Sequence, residues 1–211
     1  MPAYTGLHLD KEINNLSLKK QAPSVLIIGG AKIATKLPVI NNFLNKVDYI
    51  LIGGAVANNF LAALGYEIGQ SKYDKEYIKA AQKIIAKATP KIILPVDVIT
   101  KSKTKCADEV KSTEMILDIG PNTIKWYSDI IKNAKTIIWN GPMGKFEDKK
   151  YALGTLGILN AILKSKARII IGGGDTDVVL HNKKLPKNIF VSSGGGAMLD
   201  FLAGKKLPGL K

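Results

Sequence analysis

Residues 168–176 read RIIIGGGDT: a run of β-branched residues, three glycines, then an acid and a threonine. The same grammar recurs along the chain. VLII (25–28) runs into GGAK, YILI (49–52) into GGAVANN, TIIWN (136–140) into GPMG, and IFVSS (189–193) into GGGA. A sixth apolar run, KIILPVDV (91–98), lacks the glycine turn. These runs are continuous in apolar character and do not alternate. That suits strands buried on both faces, as in a parallel sheet covered by helices. Helical patterns lie between them. DKEYIKAAQKIIAKAT carries Asp74 at an N-cap position, turns Ile78, Ala81, Ile85 and Ala88 to one side, and stops at Pro90. PNTIKWYSDIIKNA opens with Pro121 in the first helical position and places Ile124, Tyr127 and Ile131 on one face. KKYALGTLGILNAILKSKA is a third. Alternating strands and helices predict an α/β fold: one doubly wound domain over 1–211, with a mainly parallel six-stranded sheet, helices on both faces and a Rossmann-like three-layer build. The polar stretch 100–114 reads as a surface excursion from that domain.

With 211 residues, 46% apolar and 23% charged, the chain has ordinary globular composition, which excludes a disordered, collagenous or coiled-coil protein. A single cysteine, Cys106, excludes a disulfide framework and a zinc site built on several thiolates. Its polar surroundings mark a surface thiol. No apolar run reaches the roughly 18 residues of a membrane span, and the N-terminus does not read as a signal peptide. The expectation is a cytoplasmic monomer away from membranes. The net charge is +14, and 30 of the 31 basic residues are lysine, Arg168 being the exception. Nucleic-acid binding is not expected: the lysines are dispersed and the aromatics, 7%, are not interleaved with them.

Any one glycine turn is what a tight bend needs. Five at one edge of one parallel sheet point to a ligand. Open α/β sheets bind beyond the carboxyl ends of their strands, glycine lets backbone approach closely, and exposed N–H groups attract phosphate. No GxxxxGK[ST] is present and no strand is followed by GxGxxG, so neither a Walker loop nor a dinucleotide fingerprint is indicated. Lys32 and Lys36 are spaced i, i+4 after the first turn and share one helix face, either as a solvated pair or as phosphate ligands. Asp175 either caps a helix or holds a magnesium ion bridging phosphates. Glu147 is a plain surface glutamate or takes ribose hydroxyls. His8 and His181 show no partner pattern, and no Ser-His-Asp constellation is visible.

GGAKIATK, LIGGAVANNFL, LPVDV, LDIGP, WNGPMGKFE, IIGGGDT, VSSGGGA and GKKLPG occur here in the order found in phosphoglycerate kinases, and the chain resembles that family from about Pro2 to Leu210. The resemblance is to the C-terminal, nucleotide-binding domain. Segment 1–22, with PAYTGLHLDKEI, is similar to the interdomain stretch, and the N-terminal 3-phosphoglycerate-binding domain has no counterpart in the sequence. The resemblance implies roles. Gly29, Gly30, Gly53 and Gly54 would wall an adenine site, with Leu117, Pro142 and Met143 packing on the base. Asn140 would head a nucleotide-binding turn and Glu147 would bind ribose. Lys36 would hold phosphates and Lys32 would meet the phosphoryl group in flight. Asp175 would hold Mg2+, with Gly173, Gly174 and Thr176 around the phosphates. Gly194, Gly195 and Gly196 would offer N–H groups to the transferring phosphoryl. Ile116 departs from the family's glycine, Thr35 from a common aspartate and Asp177 from a small apolar residue. The implied activity is phosphoryl transfer between 1,3-bisphosphoglycerate and ADP in glycolysis. By the same resemblance, ADP or ATP would be bound by this chain, and the phosphoglycerates would bind only with the other domain. Phosphoryl transfer commonly uses an arginine. Arg168 begins its strand, roughly 16 Å from the glycine turn at about 3.3 Å per residue, so little turnover is expected of this chain alone. The competing reading is a free-standing nucleotide-binding or regulatory protein derived from such a domain.

Overall fold

A computed structural model describes residues 6–17, 21–88, 90–101, 103–181 and 183–207. Parts of the interdomain-type segment, residues 1–5 and 18–20, lie outside the described residues. The strands are β1 Ser24–Ile28, β2 Tyr49–Ile52, β3 Ile92–Ile93, β4 Asp97–Thr100, β5 Thr104–Cys106, β6 Ile116–Ile119, β7 Thr136–Asn140, β8 Arg168–Gly172 and β9 Ile189–Ser192. The α-helices are α1 Leu7–Leu16, α2 Ile33–Phe43, α3 Gly54–Ala63, α4 Ile78–Ala88, α5 Pro121–Asn133, α6 Leu153–Lys164, α7 Gly174–Leu180 and α8 Gly196–Leu202.

The main sheet is parallel throughout, in the order β3-β2-β1-β7-β8-β9. Each strand turns alternate residues to opposite faces. Leu26, Ile28, Ile50, Ile52, Ile138 and Ile170 pack with α2, α3, α4 and α8 on one face. Val25, Ile27, Leu51, Ile137, Trp139, Ile169 and Ile171 pack with α5 and α6 on the other. The six-stranded, doubly wound three-layer expectation holds. Chain order reverses between β1 and β7, and that switch point is where the ends of two strands splay and leave a crevice.

Two local readings are corrected. KIILPVDV is not one strand. Pro95 divides it, so β3 joins the edge of the main sheet while β4 leaves it for a second, antiparallel sheet of order β5-β4-β6. A proline that cannot donate to the ladder accounts for the break. The stretch 100–114 is therefore no mere excursion. It supplies β5 and a 3₁₀ turn at Ala107–Glu109, and Ala107 and Val110 join Leu61, Ile68 and Val98 in a small core. Asp74 does not cap with its side chain. Its backbone carbonyl instead accepts from Asn59 Nδ2 at 2.7 Å.

Two buried aspartates fasten the second sheet to the first. Asp97 of β4 accepts from the backbone N–H groups of Asn122 and Thr123 at 2.9 and 2.7 Å, capping α5 where Gly120 has no side chain to do so. Asp118 of β6 accepts from Gly154 N at 2.6 Å, near the start of α6, where Ala152 cannot cap. Free N–H groups at a helix start attract a carboxylate, so both helices and the small sheet are held by one kind of contact. No helix among the described residues is long and apolar enough to cross a membrane.

Candidate functional site

The glycine turns after β1, β2 and β7 pack on one another at the switch point. Gly29 N donates to Asn140 O at 3.0 Å, Gly30 N to Pro142 O at 2.8 Å, and Gly54 N to Met143 O at 2.8 Å. Added side chains have no room there. A Cβ on Gly29 would lie 2.0 Å from Pro142 O, and one on Gly54, where φ is +59°, would lie 2.7 Å from Gly30 N. Gly53 sits under the Met143 sulfur, 2.6 Å from an ideal Cβ. Gly29, Gly53 and Gly54 thus serve close packing between turns, and Gly30 and Gly54 also line a cleft. Gly174, Gly195 and Gly196 are different: a Cβ on any of them would meet open space. Their backbone stands free at the edge of the sheet.

The cleft has a volume of about 250 Å³ and opens between the two sheets. Gly54, Ala57, Asn58 and Leu61 form one wall, following the i, i+3, i+4, i+7 face of α3. Ile116, Leu117 and Asp118 of β6 form the other, with Pro142 and Met143 between them. Lys72, Lys145, Glu147 and Asp175 supply its charged groups. Glu147 lies at the cleft as its spacing after NGPMG suggests. Ile116 lines the cleft as well, so its branched side chain takes space there.

Lys36 stands in the first turn of α2 and donates to Asn140 Oδ1. Asn140 in turn donates from Nδ2 to Gly172 O at 2.6 Å, which ties the β7 and β8 turns together. Burial holds the Lys36 ammonium below its usual range, and the nearby charge of Asp175 opposes that. Thr176 is fully buried and its hydroxyl accepts from Gly141 N at 2.9 Å, bracing the same two turns. Asp175 is exposed and accepts no hydrogen bond among the described residues, so the capping role left open by the sequence is not taken up. Gly173 precedes it at φ +112°, a conformation reserved for glycine, with an ideal Cβ 2.9 Å from Asn140 Nδ2. Lys32 is the exposed N-cap residue of α2, outside the cleft lining. Among the described residues no group of three or more His, Cys, Asp and Glu side chains is arranged to hold a metal.

The 193–196 turn lies beyond the cleft, after β9. Glu12 of α1 holds it: Ser192 Oγ and Ser193 N donate to its two carboxylate oxygens at 2.7 and 2.8 Å, and His8 Nε2 meets Ser193 Oγ at 2.9 Å. Neither Glu12 nor His8 was singled out as a partner by spacing, because the contact spans about 180 residues of sequence. Asp118 and Asn58 were missed too. Asp118 sits inside the quoted LDIGP motif, and burial pushes its carboxyl up to about 7 against two backbone N–H donors.

A doubly wound α/β domain with glycine turns and a cleft at the switch point of its sheet is the class these features define. The family described as Phosphoglycerate kinase matches residues 1–205. The chain is 43% identical to the phosphoglycerate kinase of Lactobacillus gasseri, an alignment covering 99% of this chain and 55% of that protein. It is 43% identical to that of Coxiella burnetii, covering 99% and 57%. The solved Coxiella burnetii enzyme superposes with a TM-score of 0.90 at 42% identity, covering 96% of this chain and 56% of that one. The Pyrococcus horikoshii enzyme superposes at 0.84 and 34%, covering 96% and 55%. The chain belongs to the phosphoglycerate kinase family, and it spans about half the length of the curated relatives it matches.

Proposed function

We propose that this chain binds a magnesium adenine nucleotide, ADP or ATP, with the base in the cleft and the phosphates toward the 172–176 and 193–197 turns. The observation that carries this reading is the meeting of an apolar cleft at the switch point with a free carboxylate, Asp175, in its lining and the Lys36 ammonium near that carboxylate. Leu117, Pro142 and Met143 offer apolar surface to a base, with Gly30 and Gly54 allowing close approach. Glu147 accepts from ribose hydroxyls. Lys36 pairs with phosphate oxygens, and its raised cost of burial as an isolated cation is offset when an anion arrives. Gly173 and Gly174 present backbone, and Asn140 and Thr176 keep the turns in register. A single exposed carboxylate suits Mg2+, which commonly binds through one or two carboxylates plus phosphate oxygens and water. Bound there, the ion would neutralise phosphate charge, and Asp175 would hold it.

The family's phosphoryl transfer between 1,3-bisphosphoglycerate and ADP then needs a second wall. Lys32 and the N–H groups of Gly195 and Gly196 would meet the transferring group from this side, whereas the Gly194 N–H, expected to join them, donates to Ser192 Oγ at 3.1 Å. Arg168 cannot help: its guanidinium donates to Asn15 O of α1, at the amino edge of the sheet. One domain also leaves the phosphates in water. We therefore assign nucleotide binding to this chain and expect negligible turnover without a partner domain that holds the acid.

Titration calorimetry with ADP, with and without magnesium, tests the reading. Binding in the range of about 10 μM to 1 mM is expected, because an open site leaves phosphates solvated. Asp175→Ala should weaken Mg-ADP binding more than metal-free ADP binding. Equal losses would make Asp175 structural, and no heat at several times the upper Kd would remove the nucleotide assignment.

A further inference from the structure

A second concavity lies at the opposite edge of the molecule, between the C-terminal halves of α5 and α6. It has a volume of about 690 Å³. Gly157 makes it possible: its missing Cβ, which would fall 2.6 Å from Ile124 Cγ2, lets the two helices approach closely. Lys132, Lys135, Lys164 and Lys166 line the groove, against a single acidic residue, Asp129. Four lysines among 12 lining residues is more than twice the chain's own density of 30 in 211. None of the four forms an ion pair with a carboxylate among the described residues.

Helix ends explain part of this cluster. Two helix C-termini point here, each equivalent to about half a negative charge, and basic residues in a last turn offset them. Adding Asp129, the local negative charge is about two, against four ammoniums. A surplus of about two positive charges is left unmatched by carboxylates among the described residues. Like charges gathered in a concave surface raise the local potential and attract counter-ions.

We propose that the groove binds a compact polyphosphate anion, one carrying at least three negative charges, at a site separate from the glycine turns. Recognition is of the phosphates: no aromatic side chain lines the groove, so nothing there stacks on a nucleobase. A long nucleic-acid strand is disfavoured on the same ground.

The probe is inorganic tripolyphosphate, titrated by calorimetry at about 50 mM salt, where screening is modest. Lys36→Ala serves as the background, to weaken the other phosphate site. Replacing Lys132, Lys135, Lys164 and Lys166 by alanine should lower affinity at least about tenfold, the difference between specific and merely global attraction. The comparison variant replaces Lys75, Lys79, Lys83 and Lys87, around α4, and removes the same net charge. It should change affinity by less than about twofold. All eight lysines are exposed, and circular dichroism is the check on folding. Should the fourfold groove variant not fold, Lys132→Ala with Lys164→Ala gives the same test at half the charge. ATP in place of tripolyphosphate separates the sources. A matching loss assigns the phosphate tail of a nucleotide, and indifference assigns free polyphosphate. Equal losses in the groove and comparison variants, or no saturable tripolyphosphate binding, would overturn the site.

Discussion

At the residue scale, Asp118 carries the most specific consequence. The residue is 2% exposed, and desolvation raises its carboxyl from 3.8 to about 7 despite donors at Gly154 and Ile119. A carboxyl raised on folding contributes stability below its unfolded value, near pH 4, and loses it as pH climbs through 7. The full effect is bounded by about 4 kcal/mol, three pH units at 1.36 kcal/mol each. Denaturant midpoints at pH 4.5 and 8 should therefore fall with rising pH in the wild type, with a shallower fall in Asp118→Asn. Asp177 shifts in the same direction from burial, so the difference between the two proteins isolates Asp118. Parallel slopes would show that water reaches the carboxyl. Ile116 gives a second expectation. Ile116→Gly should tighten ADP binding by calorimetry, because it frees space in the cleft wall. A backbone entropy cost of about 0.5–1 kcal/mol in stability is expected alongside. Unchanged affinity would mean that the base lies clear of position 116.

At the element scale, the turns behave as one packed unit. Gly54→Ala places a methyl 2.7 Å from backbone and demands an unfavourable φ, so it should destabilise by at least about 2 kcal/mol in chemical denaturation. Gly174→Ala, with open space around it and φ in the ordinary range, should cost under about 1 kcal/mol. Comparable losses would contradict the division between packing and open glycines. This division was not legible in the sequence, where all five turns look alike. What was legible is the main sheet, since 25–28, 50–52 and 169–171 are uniformly apolar and both faces of a parallel sheet are covered. The second sheet was not, because its strands are short, begin only after Pro95 and run through the polar TKSKTK stretch. Its closure depends on Asp97 and Asp118 reaching helix starts more than 20 residues away. The site was legible as motifs: spacing suggested Lys36, Asp175 and Glu147, and the LDIGP resemblance supplied Ile116 and Leu117 of the second wall, but nothing pointed to Asn58, Lys72 or Asp118.

At the scale of the whole molecule, the proposed function makes this chain one wall of a two-walled site. Glu12 ties α1 to the 193–196 turn, and the lone arginine is committed to α1 at the far edge of the sheet. The isolated chain should give less than about 1 turnover per second in ATP formation from 1,3-bisphosphoglycerate and ADP, below the usual enzyme range. Joining a family N-terminal domain to its amino end should restore activity, since a short tether supplies an effective concentration near millimolar. The most direct measurement concerns the cleft itself: amide chemical shifts of the labelled chain during titration with Mg-ADP. Saturable shifts at Gly30, Gly54, Leu117, Gly144 and Gly174, with the α5–α6 groove unmoved below about millimolar nucleotide, are the predicted result. No shifts at those amides, or shifts confined to a different surface, would contradict the placement of a nucleotide at the switch point.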